Sequence, residues 1–221
     1  RLVLGGGAPR RRPLFRLRQG AGDGFATAAV GLLAAGAGAL AFLHHFPPLV
    51  SRWIPALLIG GGLVSFLAQA RRFYARRNRP GLDPGMRLAA AGLGVLAVAL
   101  AVAGPVVAGV ASSRLSTAYV AAAVLGISLF VAAHYYKIVP FLVWFHRFGP
   151  LAGKRPVPKV AELYSGRLAA VAGALMVPGV VGLAIAVALG WAGAARGAAV
   201  VFGAGVAIEA FQMAGLARRR P

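Results

Sequence analysis

Six nearly continuous apolar runs constrain this chain more than anything else in it. They fall at residues 25–46, 49–70, 88–111, 117–140, 168–189 and 197–216. A hydrocarbon layer ~30 Å thick is crossed by about 20 helical residues at 1.5 Å each. Backbone N–H and C=O groups facing lipid must be satisfied within the segment, so runs of this length are expected to be helices. A membrane β-barrel would instead show short strands of alternating polarity. The fold class expected is all-α, a polytopic transmembrane bundle of about six helices.

Charge placement adds orientation. Only 13% of residues are charged, and they comprise 24 Lys+Arg against Asp23, Asp83, Glu162 and Glu209. Twenty of the basic residues lie in the N-terminal tail, in the loops after the second and fourth runs, and at the C-terminus. The alternate loops hold Arg52, Arg114 and Arg196, and Lys137 falls inside the fourth run. Basic loops stay on the cytoplasmic side. Both termini are therefore expected to be cytoplasmic, in a bacterial cytoplasmic membrane. The expected divisions are a basic segment at 1–24, the transmembrane bundle at 25–217 and a basic tail at 218–221. The net charge of +20 is spread in short clusters between apolar runs. Anionic lipid headgroups are thus the expected partner, and nucleic acid is not. The chain opens at Arg1 rather than Met, with no signal-peptide pattern in its first twenty residues, so a natural start upstream is expected.

There is no cysteine, which excludes disulfides, thiolate metal sites and cysteine nucleophiles. No complete catalytic motif stands out, so whether the chain is an enzyme is left open. The informative residues are the ionisable ones within apolar runs, because burying them in a bilayer is costly. Glu209 lies near the middle of the sixth run, and Gln212 at i+3 shares its helical face. A carboxyl there must pair with a cation or hold a proton; His134 and Lys137 are the partners expected nearby. His134 and Lys137 themselves lie three residues apart in the fourth run, hence on one face. Lys137 could simply snorkel to headgroups, with Tyr135, Tyr136 and Trp144 as an interfacial aromatic belt. His44 and His45 close the first run ahead of Pro47 and Pro48, where a helix end would let the two rings converge. Pro105 and Pro178 fall inside runs and are expected to kink them.

The His44-His45 pair at the outer end of one helix, followed three helices later by Ala133-His134-Tyr135-Tyr136, resembles the C-terminal half of the catalytic subunit of heme–copper oxidases. The stretch Tyr136-Lys137-Ile138-Val139-Pro140-Phe141-Leu142-Val143-Trp144 is similar to a run in related bacterial multi-span proteins. The resemblance spans six segments in topology and about a dozen residues in motif. It implies a heme-associated respiratory or electron-transfer protein, with heme as cofactor and His134, His44 and His45 as ligands. It also implies a missing N-terminal half, or other membrane subunits, as partners. Tyr136 stands where the family carries a second heme histidine. A transporter or permease-like subunit, with a proton or substrate path through Glu209 and His134, is the alternative. A structural membrane subunit without chemistry is a third.

The orientation is testable with single cysteines. Placed at Ser113 and at Ser165, they should react with a membrane-impermeant maleimide from opposite sides, Ser113 from outside. Labelling of both from one side would end the six-crossing topology.

Overall fold

A computed structural model describes residues 23–76 and 81–218. Among them are seven α-helices and no strand: α1 (Asp23–Leu43), α2 (Pro48–Ala75), α3 (Pro84–Ala101), the short α4 (Ala103–Val107), α5 (Ser113–Val143), α6 (Gly166–Leu189) and α7 (Ala192–Arg218). All but α4 are long and apolar enough to cross a membrane. The all-α architecture of six long apolar helices matches the expectation from the runs. The basic segment expected at 1–24, apart from its last two residues, lies outside the described residues, as do Arg77, Arg79 and the tail beyond Arg218.

Helix ends follow local chemistry. Asp83, Ser112 and Ser165 each accept a hydrogen bond from a backbone N–H in the first turn of α3, α5 and α6, as N-caps do. α6 ends at Gly190, whose φ of 75° is a left-handed cap. Several expected boundaries move: α2 runs past 70 to Ala75, α3 and α5 start four residues early, and α7 starts at Ala192 rather than 197. The third run stops as a helix at Ala101 and resumes as α4. Pro105 has no N–H for the Ala101 carbonyl four residues back, and its ring crowds that carbonyl. α5 instead runs on past its expected end at 140, through Pro140 to Val143, before a π-helical turn at Trp144–Phe148. Pro178 does not interrupt α6.

Successive spans are antiparallel. Gly85 of α3 lies against Ala133 and Tyr136 of α5, whereas Gly92 lies against Gly126 and Phe130. Gly179 of α6 meets Phe202 of α7, and Gly205 of α7 meets Ala172 and Met176 of α6. Gly36 and Gly62 register α1 with α2 in the same way. The chain thus has a basic end, carrying the loops after α2 and α5, and an opposite end. At the opposite end the Arg52 guanidinium lies beside Gly109, where α4 ends, and Arg114 lies beside Gly190 at the end of α6. Cations there meet the partial negative charge of a helix C-terminus.

α3, α5 and α6 share a core of Leu88, Ala89, Leu129, Ala132, Ala133, Tyr136, Ala169, Met176 and Val180. Large side chains such as Val30, Leu57, Val98, Val200 and Phe211 point outward. That inversion suits lipid, where apolar surface gains nothing by turning inward and small residues let helices approach. The loop after α5 folds back over the basic end. There Phe148, Leu163 and Leu216 cluster, and Trp144 Nε1–H donates to the Pro158 carbonyl at 2.7 Å. The α1–α2 hairpin touches the other helices sparsely and leaves crevices beside α2, two of them large. The larger, about 800 Å³, is at the opposite end, lined by Arg52, Trp53, Pro55 and Tyr119 among others.

The glycine contacts make a paired prediction within α6 and α7. A Cβ at Gly179 would fall 2.7 Å from the Phe202 backbone nitrogen, whereas one at Gly203 would meet nothing within 4 Å. Gly179→Ala should destabilise by about 1–3 kcal/mol. Gly203→Ala should be neutral or stabilising by up to about 1 kcal/mol. Thermal midpoints in detergent measure both, and equal midpoints would contradict this packing.

Candidate functional site

α5 carries four of the singled-out residues, and its rotation sends them to different neighbours. Tyr136 points inward and is 1% exposed. His134 and Lys137 share a face, as their spacing predicts, and line the second crevice beside α2, of about 490 Å³. Phe66, Gln69, Phe73 and Tyr74 of α2 and Met86 of α3 form its other walls. Tyr135 turns the other way, toward α7.

In the crevice, His134 Nδ1 lies 2.7 Å from the Phe130 carbonyl oxygen. A carbonyl only accepts, so Nδ1 carries the proton, and a neutral imidazole then has its lone pair on Nε2. The ring also packs 4.4 Å from the Phe130 ring, which sits edge-on to Phe66. Lys137 does not simply snorkel outward: its ammonium binds Asp83 Oδ2. Asp83 Oδ1 meanwhile accepts the Met86 N–H at 3.0 Å, capping α3. Burial alone would push the Asp83 carboxyl up, but its bonds to Lys137 and to the Met86 amide outweigh that and hold it below the usual carboxylate range. Burial pushes the Tyr164 phenol up, with the Asp83 charge adding to it.

Glu209 lies against α5 and is 5% exposed, and Gln212 beside it is 8% exposed. Gln212 Nε2 donates to the Tyr136 hydroxyl at 3.3 Å, and the Tyr136 ring lies 5.4 Å from that of Tyr164. Glu209 lines a groove between α5 and α7 with Tyr135, Val139 and Met213. The interior placement of Glu209 near the fourth span is as expected, but neither expected partner reaches it. Lys137 is held by Asp83, and His134 faces the α2 crevice on another side of α5. A single path through Glu209 and His134 is therefore not formed.

His44 and His45 do converge, because α1 ends at Leu43 just before them. Their ring centroids are 3.6 Å apart, and His44 Nδ1 bonds the Ala41 carbonyl at 2.8 Å. Both are exposed at the opposite end of the bundle. His134 lies about 31 Å along α5 from that end, counting from Ser113 at 1.5 Å per residue. The pair and His134 cannot serve one ligand together. No group of three or more His, Cys, Asp or Glu among the described residues could hold a metal ion.

Sequence reasoning missed Asp83, Gln69, Tyr74 and Tyr164. Asp83 had a signal: an Asp directly before Pro84 is an N-cap followed by a first-turn proline. Gln69, Tyr74 and Tyr164 sit at helix ends or in a loop, where nothing in their spacing marks them.

The six long apolar helices, with large side chains outward and small ones between, define a multi-pass integral membrane protein. No family model, curated protein or solved structure matches the chain.

The Asp83–Lys137 pair predicts a pH signature. A carboxyl held below its unfolded value stabilises fully above about pH 4 and loses that increment as pH falls through the lowered value. Asp83→Asn keeps a capping acceptor and removes the charge. It should cost about 0.5 kcal/mol at neutral pH, the scale of a partly exposed pair. The gap from wild type should close below about pH 3. Thermal midpoints at several pH values check this, and a gap that persists in acid would refute it.

Proposed function

We propose that this protein binds a flat, largely apolar ring cofactor in the crevice between α2, α3 and α5, with heme the first candidate, as a membrane protein of the respiratory or electron-transfer type. The observation that carries the reading is His134. Its Nδ1–H is fixed by a backbone carbonyl, the second bond that orients ligating imidazoles, and Nε2 is left for a ligand within an aromatic crevice. The crevice volume of about 490 Å³ is in the range of small-molecule sites. Phe66, Phe73 and Phe130 offer apolar walls, and the Met86 thioether would be a second donor from the chain. Lys137, with its ammonium on Asp83, closes the crevice toward the basic end. A bound heme would supply one-electron transfer; the chain supplies position, an apolar surrounding and a charged rim.

This reading keeps His134 from the oxidase-like expectation and sets aside His44 and His45 as its companions. The basic end is read as cytoplasmic in a bacterial inner membrane, on the strength of the charge asymmetry alone.

The purified protein should show a Soret band that His134→Ala removes while helical circular dichroism stays unchanged. A folded wild-type protein that stays colourless after incubation with hemin would overturn the proposal.

A further inference from the structure

α7 buries two polar side chains on one face, and both hold an oxygen that nothing satisfies. Glu209 Oε1 and Gln212 Oε1 have no hydrogen-bond partner among the described residues. The Gln212 amide is already oriented, since its Nε2 donates to the Tyr136 hydroxyl. Both orphans are acceptors, so a second acceptor cannot satisfy either. A proton on the carboxyl turns Glu209 from an acceptor into a donor, and the unsatisfied Gln212 oxygen three residues on shares its helical face.

Among the described residues no cation pairs with the carboxyl. Lys137 on α5 is bound to Asp83. From α6 the residues packed at this level, Ala169, Ala172 and Met176, do not titrate, and Arg167 at its first turn is the helix's one charged residue. From α5 the titratable groups are Tyr135 and Tyr136, with Tyr164 behind Tyr136.

The carboxyl is also reachable. A groove of about 250 Å³ between α5 and α7 leads to Glu209, walled by Val139, Val206, Ala210 and Met213. Tyr135 at its rim is 48% exposed, so the groove opens on the outer surface of the bundle, toward the basic end. A carboxyl needed only for packing requires no such opening.

We propose that Glu209 is a proton-binding site within the membrane, loaded and unloaded through the α5–α7 groove, with Gln212, held by the Tyr136 hydroxyl, on the same helical face. The site is separate from the α2 crevice and stands whether or not that crevice holds a ring cofactor. A metal cation is the other ligand for oxygen donors, but Glu209, Gln212 and Tyr136 offer three side chains where hard cations take six or more oxygens.

The test uses the intact protein and dicyclohexylcarbodiimide, a lipid-soluble reagent. The O–H of a protonated carboxyl adds across its C=N bond, and the acyl group then shifts from oxygen to nitrogen to leave a stable N-acylurea. Mass spectrometry should find the adduct on Glu209, and Glu209→Gln should lose it. Labelling should fall as pH is raised across about 5–9, where buried carboxyls titrate. It should not change when sodium chloride replaces choline chloride. Absence of any adduct on the folded wild-type protein, or labelling indifferent to pH, would overturn the proposal. Protection by sodium would overturn it too, by making the site one for a metal cation.

Discussion

Close approach of helix backbones at small residues is the constraint on which everything else here rests. Between helices in lipid there is no hydrophobic effect to spend, so association depends on dispersion contacts that require near contact of the backbones. Gly92 against Gly126 and Phe130, with Gly85 against Ala133 and Tyr136, locks the rotation of α5 on α3. That rotation decides that Tyr136 faces inward, His134 and Lys137 face α2, and Tyr135 faces α7. The polar chemistry is thus set by residues with no chemistry of their own.

α5 consequently works as a partition. On one side an aromatic crevice ends in an ion pair that also caps a helix, so that loss of Asp83 would disturb the start of α3 and the state of Lys137 together. On the other side a carboxyl sits without a cation. Of the acids in the described region whose side chains are placed, Asp83 caps α3 and binds Lys137, and Glu162 accepts the Lys159 N–H at 3.1 Å. Glu209 alone of these has neither a helix terminus nor a base to hold its charge. That isolation reflects depth, since the described arginines stay at the two ends of the bundle.

The fold was largely legible because bilayer thickness turns hydrophobic length directly into helix number. Boundaries were less so. The third run reads as one apolar stretch to residue 111, but the steric demand of Pro105 falls on Ala101, outside any hydropathy average. Within the site, helical periodicity correctly grouped His134 with Lys137 and Glu209 with Gln212, because neighbours on a turn are fixed by geometry. It could not say which helix each face meets. The pairing of Lys137 with Asp83 rather than Glu209 joins residues 54 positions apart and depends on how α3 is seated against α5. The convergence of His44 and His45 was readable from two prolines; their separation from His134 followed from the alternation of spans.

The interruption of α3 has a further consequence for the surrounding lipid. Its 18 residues are about 27 Å long, short of the ~30 Å average hydrocarbon thickness, while the 31 residues of neighbouring α5 reach well beyond it. Two adjacent spans of such unequal reach cannot both match one flat bilayer. α5 must tilt, or the leaflet at the opposite end must dip beside α4 and draw headgroups toward Arg52 and the large crevice there. Either accommodation costs fractions of a kcal/mol per ångström of mismatch, enough to favour thin membranes over thick ones and to give the molecule a preferred place wherever bilayer thickness varies.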